Sequence, residues 1–594
     1  VFLGTAVTGL VLLIVFLLIQ SNGGFSGSRL LIRLSMVSGA LFILGSIGWG
    51  LSVLSGVNHF LTASWRGPVF LGGGLVAIIA LFYGVENWRG ARAWRSFKET
   101  REARGERFEM SHYIPPAVPV ERNFFETALW EHLHFTQPYN EAEGTHEVVW
   151  GDKNWGQRTH FRISSPNSRE EPPLVAWPFG KPVALEEWQA YYRGSNNLVA
   201  AESGGFTNYF PVPANPRAPA ADVLLALSRL DGDRRLLAQA SGKPESRFWI
   251  EYNAGYEAAL PHLSELKQAA RYLSLHAESA RLAGDKEAAL ADIQMGFHLL
   301  RTIRSEPFTI SHRVRSAMLA LILQPVWGGC ADHQWTAADL EGFEKQLREM
   351  DFLADYHFAM RGERAFNLAF IDRAHIDSRR VSSGIVSAYS FAHQNQQAAR
   401  VPLCVSLAQA FGTAPLKLAP RGWFEQNKRS LCNLHESVLL AAVDLTNRVV
   451  SPRIVRKATS ALKEQPVGMY NAILALQIHT GTDVPNGFAY GQTMVDLARV
   501  ACALEKYRLA QGKYPASLEK LMPGYIEVLP HDIINGQPLT YRLTGSGQFL
   551  LYSVGWNELD DAGEAAGHLE RAEETESGDW VWKYPAMPRK VHGK

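Results

Sequence analysis

Residues 261–303 read PHLSELKQAARYLSLHAESARLAGDKEAALADIQMGFHLLRTI, and their spacing sets the class of the whole chain. Leu263, Leu266, Ala270, Leu273 and Ala277 recur at three- and four-residue intervals, which places them on one face of a helix. Gly284 then supplies a left-handed residue that ends a helix, and Asp285 a side-chain acceptor that starts the next. Ala288, Ala289, Ile293, Phe297 and Leu300 return as a second apolar face, so the pattern predicts an antiparallel helix hairpin. Outward from it, helical spacing dominates residues 221–485. Further helices are predicted around 313–330, 337–373, 426–448 and 453–478, separated by the polar stretch 392–400 and the Pro-containing stretch 413–423.

The Gly-Asp turn of the hairpin and the Ala-Leu that follows it are similar to tetratricopeptide repeats. No second copy stands at the period of about 34 residues that such arrays keep, and stacked repeats need about three units to bury their faces. An ordinary helical bundle is therefore preferred to a solenoid. Upstream, residues 121–220 mix short extended candidates (HEVVW, HFRIS, PLVAW) with Gly, Asn and Pro clusters and predict an irregular α/β region. Glu131-His132-Leu133-His134 resembles a metal pair only on a strand, where both imidazoles share a face. The flanking FFETALWEHLHF favours a helix, so these histidines are read as structural.

The chain has 594 residues, 46% of them hydrophobic and 20% charged, which gives enough apolar surface for several packed units and argues against general disorder. With 59 Lys and Arg against 58 Asp and Glu, no global field favours nucleic acid. Cys330, Cys404, Cys432 and Cys502 are widely spaced, which excludes a Cys-x-x-Cys zinc module.

Residues 1–19 (VFLGTAVTGLVLLIVFLLI), 34–56 and 68–85 are uncharged apolar runs close to the ~20 residues that cross a bilayer as a helix. They predict three transmembrane helices. Arg89, Arg92, Arg95, Lys98, Arg101, Arg104 and Arg107 follow the third run, a basic flank that puts the soluble body on the cytoplasmic side of a bacterial inner membrane. A periplasmic body is the other outcome. Spaced every third residue, these cations wind around the helix and make no single basic face. They read as a solvated helix interleaved with Glu86, Glu99, Glu102 and Glu106, with anionic headgroups as the competing partner. Pro115, Pro116 and Pro119 close this 86–120 segment as a stiff connector.

From 486 to 594 the character changes. DLARVACALEKYRLA (496–510) predicts a helix ended by Gly512, SLEKLM (517–522) a second one, and PLTYRLT (538–544) with QFLLYSVG (548–555) a hairpin packed on the first helix, an α+β unit. Tyr507, Gly512, Tyr514, Pro515, Leu529, Pro530, Asp532, Gly536, Pro538, Tyr541, Tyr552, Ser553, Gly555 and Asn557 stand in the order of Y-x-x-x-x-G-x-Y-P, L-P-x-D, G-x-P-x-x-Y and Y-S-x-G-x-N. In these residues the module resembles the globular half of the major pseudopilin of type II secretion. More broadly, the chain resembles uncharacterised bacterial membrane-anchored proteins that carry A-W-x-x-x-K-x-x-x-x-x-R-G-E (Ala93 to Glu106) and D-W-V-W-x-Y-P (Asp579 to Pro585). A pseudopilin joins its hydrophobic helix directly to this module, whereas here the helix lies deep in the chain and carries Asp496, Arg499, Glu505, Lys506 and Arg508. The resemblance also implies a calcium ion in the last loop, where Asn557, Asp560 and Asp561, with Glu558, offer the hard oxygens that Ca²⁺ takes; a solvated acidic turn is the alternative.

No H-E-x-x-H, P-loop, G-x-G-x-x-G or G-x-S-x-G occurs in the sequence, so no catalytic residue is assigned. The expected function is a membrane-anchored, non-catalytic interaction or assembly protein of the bacterial envelope, bound to the lipid bilayer and to protein partners. A membrane-anchored enzyme and a transporter-associated subunit are the alternatives, and the uncharged spans weigh against the second.

Overall fold

A computed structural model describes residues 66–140, 145–152, 160–165, 171–194, 198–200, 206–376, 418–464, 470–471, 483–544, 547–565 and 577–583. The runs 1–19 and 34–56 lie outside the described residues. The chain divides into two compact units, residues 1–88 and 89–594.

Helix α1 (Arg66–Glu102) covers the third apolar run and most of the basic flank without a break. In the first unit its Leu75, Val76, Ile78, Ile79, Leu81, Phe82 and Val85 are all exposed.

The second unit is mainly helical with small sheets. Its first part is irregular, with two-residue strands β1 (Phe135–Thr136), β2 (Tyr139–Asn140), β3 (Thr145–His146) and β4 (Val149–Trp150), helix α2 (Leu185–Arg193), and strands β5 (Leu198–Ala200) and β6 (Phe206–Asn208). The helix expected around Glu131 is a single 3₁₀ turn, Glu131–Leu133. The physical reason is tertiary: Asn123 pairs with the 245–247 segment, its Oδ1 accepting from Arg247 N at 2.8 Å, and Phe124 N donates to Glu245 O. HFRIS does not form a strand, because Phe161 sits at φ 54° in a turn.

Helices α3 (Pro219–Leu227) and α4 (Asp231–Ala240) lead to the hairpin of α5 (Pro261–Ala283) and α6 (Lys286–Thr302). Gly284 takes φ 91° and the Asp285 side chain accepts from Ala288 N, as the sequence predicts. Leu263, Leu266, Ala270, Leu273, Ala277, Ala289, Ile293, Phe297 and Leu300 are all buried.

Helix α7 (Thr309–Ala331) packs on both members of the hairpin. It is long and apolar enough to cross a bilayer, yet 72% of its most apolar stretch is buried inside the protein. Pro325 lies within it. Lacking an N–H, this proline leaves the Leu321 carbonyl without its helical donor, and the Ser274 hydroxyl donates to that oxygen at 2.7 Å.

The single helix expected over 337–373 is two, α8 (Ala337–Arg348) and α9 (Phe352–Ile376). Asp351 makes the break by accepting from Leu353 N and Ala354 N, which caps the second helix. The helix expected over 426–448 is α10 (Arg421–Leu434), followed by a π turn, a 3₁₀ turn and a hairpin of β7 (Val443–Asp444) and β8 (Val449–Val450). Helix α11 (Pro452–Glu464) follows, and residues 465–469 and 472–478 of the last expected helix lie outside the described ones.

Helix α12 (Val484–Gln511) ends at Gly512, φ 72°. SLEKLM forms a 3₁₀ turn, Leu518–Leu521. Strands β9 (Thr540–Leu543), β10 (Phe549–Ser553) and β11 (Trp580–Lys583) make an antiparallel sheet in the order β11-β10-β9, which includes the predicted hairpin. Helix α12 touches this sheet but packs more extensively on α7, α8 and α9. Its charges add to the contact with α8. Arg499 meets Glu344 at 3.1 Å, Lys506 meets Glu341 at 2.5 Å, and buried Glu505 receives His333, Arg508 and Tyr514. Residues 89–594 form one compact unit.

Candidate functional site

The Ala93–Glu106 segment docks on α9 and α10. Gly90 has no side chain because there is no room for one: a Cβ would stand 2.2 Å from the Gly422 carbonyl oxygen at the start of α10. One helical turn on, Trp94 and Phe97 pack against Phe108, Phe424 and Leu431, with Trp94 and Phe108 edge to face at 5.8 Å. Gly105, φ 89°, then reverses the chain and delivers Glu106 to Arg361 and Arg364, at 3.2 and 2.6 Å. Arg364 is fully buried and also lies 4.5 Å from the Phe108 ring centroid. Burial works to raise the Glu106 carboxyl, but hydrogen bonds from both arginines overcome it and hold the group below its ordinary range. Lys98 and Glu109 pair at 2.6 Å, which raises the first and lowers the second.

Beneath this docked helix lies a cavity of about 600 Å³. Trp94, Phe108, Met110, Leu368 and Phe424 contribute apolar side chains to its lining, and Lys98, Glu109, Asp372, Arg373, Arg421, Glu425 and Lys428 charged ones. Lys428 is buried, with Nζ 2.8 Å from both Asp372 and Glu425 and 4.9 Å from the Trp94 ring centroid. Arg421, the first residue of α10, has a side chain 70% exposed and stands 3.7 Å from Glu425. The first turn of α10 holds no acidic residue, and no side chain caps it.

Of the seven basic residues, Lys98 and Arg101 are turned toward the body, Arg101 meeting Glu436 at 2.6 Å, while Arg92, Arg95, Arg104 and Arg107 are exposed. Sequence reasoning found Trp94, Lys98 and Glu106 through the motif that holds them. It missed Arg361, Arg364 and Lys428, which no motif marks.

The acidic loop is an internally bonded turn. Asn557 Nδ2 donates to Asp561 Oδ2 at 2.8 Å, and Asp560 Oδ1 accepts from Tyr552 and from Ala562 N, both at 2.9 Å. Glu558 pairs with Arg456. Buried Asp579 closes the loop by accepting from Asp561 N and Gly563 N. These bonds engage Asp560 Oδ1 and Asp561 Oδ2 within the loop, and among the described residues no group of three or more His, Cys, Asp or Glu side chains is placed to hold a metal ion. Asp532 and Ser553, both in the pseudopilin-like pattern, meet at 2.8 Å and tie the 532–538 turn to β10.

His132 is buried and His134 is half exposed, the former 4.6 Å ring to ring from His160. His160 Nδ1 lies 2.9 Å from Asp233. Nearby Glu265 has a buried Oε2 without a hydrogen-bond partner among the described residues, and burial pushes its carboxyl up to about 7. No protein-family model, no curated protein and no solved structure matches this chain.

Proposed function

We propose that this chain is a membrane-anchored, non-catalytic interaction or assembly protein of the bacterial envelope, with spans at 1–19, 34–56 and 68–85. The observation that supports it most is the row of exposed apolar side chains from Leu75 to Val85, which encircles most of the helix. A helix apolar nearly all round belongs in a protein core or in lipid. The same helix continues past Val85 to Glu102, and its Gly90 and Trp94 pack on α10 and on the Phe108–Leu431 cluster. The three-stranded sheet with α12 is a pseudopilin-like module in this reading, and its partners are proteins.

Carbonate extraction and cysteine labelling test the anchoring. The protein should stay in the membrane pellet, with the 57–67 loop and residue 577 labelled from opposite sides; release by carbonate overturns the proposal. A body labelled from the cytoplasm fits the basic flank, and one labelled from the periplasm reverses the orientation while keeping the spans.

A second reading, a membrane-anchored enzyme, draws on the His160–Asp233 pair, the strained φ of Phe161 and the near-neutral Glu265. Glu265→Gln decides it: turnover found in a hydrolase substrate screen and abolished by this change would favour the enzyme, whereas unaltered turnover would remove Glu265 from any mechanism.

A further inference from the structure

We propose that Cys330 and Cys502 are an oxidisable pair that closes into a disulfide by exchange with a disulfide oxidant, tying α7 covalently to α12. The two helices pack side by side and run in the same direction. His312 meets Phe488 with ring centroids 5.5 Å apart, a Cβ at Gly491 would stand 3.1 Å from Ser316 Oγ, and His333 Nδ1 lies 2.9 Å from Glu505. Cys330 and Cys502 stand three residues before His333 and Glu505, so this register sets them opposite each other. The two positions before Cys330 point elsewhere: Gly328 faces the Glu278–Arg281 pair and Gly329 the Trp335 indole. One further step of about 100° turns Cys330 away from both. Both cysteines are free thiols and both are buried. Cys432 belongs to the separate cluster around Phe108.

The Cys502 thiol beside it and then burial raise the Cys330 thiol well above its ordinary range, and a neutral thiol is a poor nucleophile. Once α12 has docked, the pair is inert. The exchange therefore belongs to the folding chain, while both thiols meet water. One cysteine thiolate attacks the oxidant's sulfur, which gives a mixed disulfide and releases one thiol. The second cysteine then attacks the mixed disulfide at its cysteine sulfur, and the second thiol leaves. The two cysteines lose two electrons and two protons, and the oxidant takes them up as its two thiols. Docking of α12 finally covers the bond.

The full-length chain is synthesised in a cell-free system with maltoside micelles, once with oxidised glutathione and once with reduced glutathione alone, and its peptides are mapped by mass spectrometry without reduction. A Cys330–Cys502 crosslink should be the main disulfide in the first preparation and absent from the second. The oxidised protein should melt higher by about 5 °C or more, because a bond that closes so long a loop restricts the unfolded chain. Cys502→Ser should remove both the crosslink and the difference in melting. Oxidised glutathione added after folding in reduced glutathione should leave the pair open over the same time, and rapid closure there overturns the claim that exchange precedes docking. Glutathione left singly on the two cysteines, or either of them paired chiefly with Cys404 or Cys432, overturns the pairing. Equal melting of oxidised and reduced protein overturns the lock between the helices. Should Cys502→Ser fail to fold, Cys502→Ala and the peptide map of the unaltered chain still decide.

Discussion

Arg364 has no solvent exposure and answers Glu106 at 2.6 Å, whereas Arg361 answers the same carboxylate while a third of its side chain meets water. Losing a buried hydrogen bond between charged groups costs roughly 1.5–3 kcal/mol, while an exposed pair is worth about 1 kcal/mol or less. Urea unfolding should therefore show Arg364→Ala losing several times more stability than Arg361→Ala. Glu265 makes the opposite kind of prediction. Its carboxyl is raised from 4.5 to about 7 by burial, so across that interval the folded protein holds a proton that the unfolded chain has released. Stability then falls as pH rises from about 4.5 to about 7, and the penalty is complete above that. Glu265→Gln should melt higher than the parent at pH 8, by an amount equivalent to ~1–3 kcal/mol, and level with it at pH 4. An equal gap at both pH values would show that Glu265 ionises as an ordinary carboxylate. Glu106 was legible as part of a motif, but its partners were not, because Arg364 lies 258 residues further on and pairing at that range leaves no local spacing to read.

At the scale of elements, the hairpin of α5 and α6 was readable because cap, glycine and apolar spacing all agree within a short stretch. Reading failed where a distant contact decided the outcome. Asn123 pulls its segment into pairing with residues 245–247, and Asp351 caps a new helix inside a run whose apolar spacing continues on both sides. The docking of α1 shows the same limit, since nothing around Gly90 in the sequence announces Gly422. Gly90→Val should force the two backbones apart, because even a Cβ would stand 2.2 Å from the Gly422 oxygen. Limited trypsin digestion should then cut at Arg101 and Arg104 faster than in the parent, with the circular dichroism of the body little changed. Wild-type cleavage rates in Gly90→Val would mean that α1 is held without this crossing.

For the whole molecule, the change in sequence character near 486 is followed by α12 and the three-stranded sheet, and α12 packs beyond that sheet. Helix α12 buries Leu497, Val500, Ala501 and Leu504, and it packs more on α7, α8 and α9 than on its own sheet. A fragment of residues 486–594 would expose that apolar face, whose burial contributes on the order of 25 cal/mol per Å². Nuclear magnetic resonance of the isolated fragment should show collapsed amide dispersion, and a well-dispersed spectrum would prove the module autonomous. The sheet is sealed from the other direction too. Trp582 of β11 meets Trp177 at 5.1 Å, and the Trp327 indole donates to the Lys583 carbonyl across 256 residues. Synthesis runs from the N-terminus at ~5–20 residues per second, so the roughly 400 residues between the two tryptophans take about 20–80 s to emerge. Throughout that interval Trp177 and the flank of α7 have been made and their cover has not. The flank of the body at Trp177 and Trp327 is thus completed only when β11 has been made, after nearly every other element.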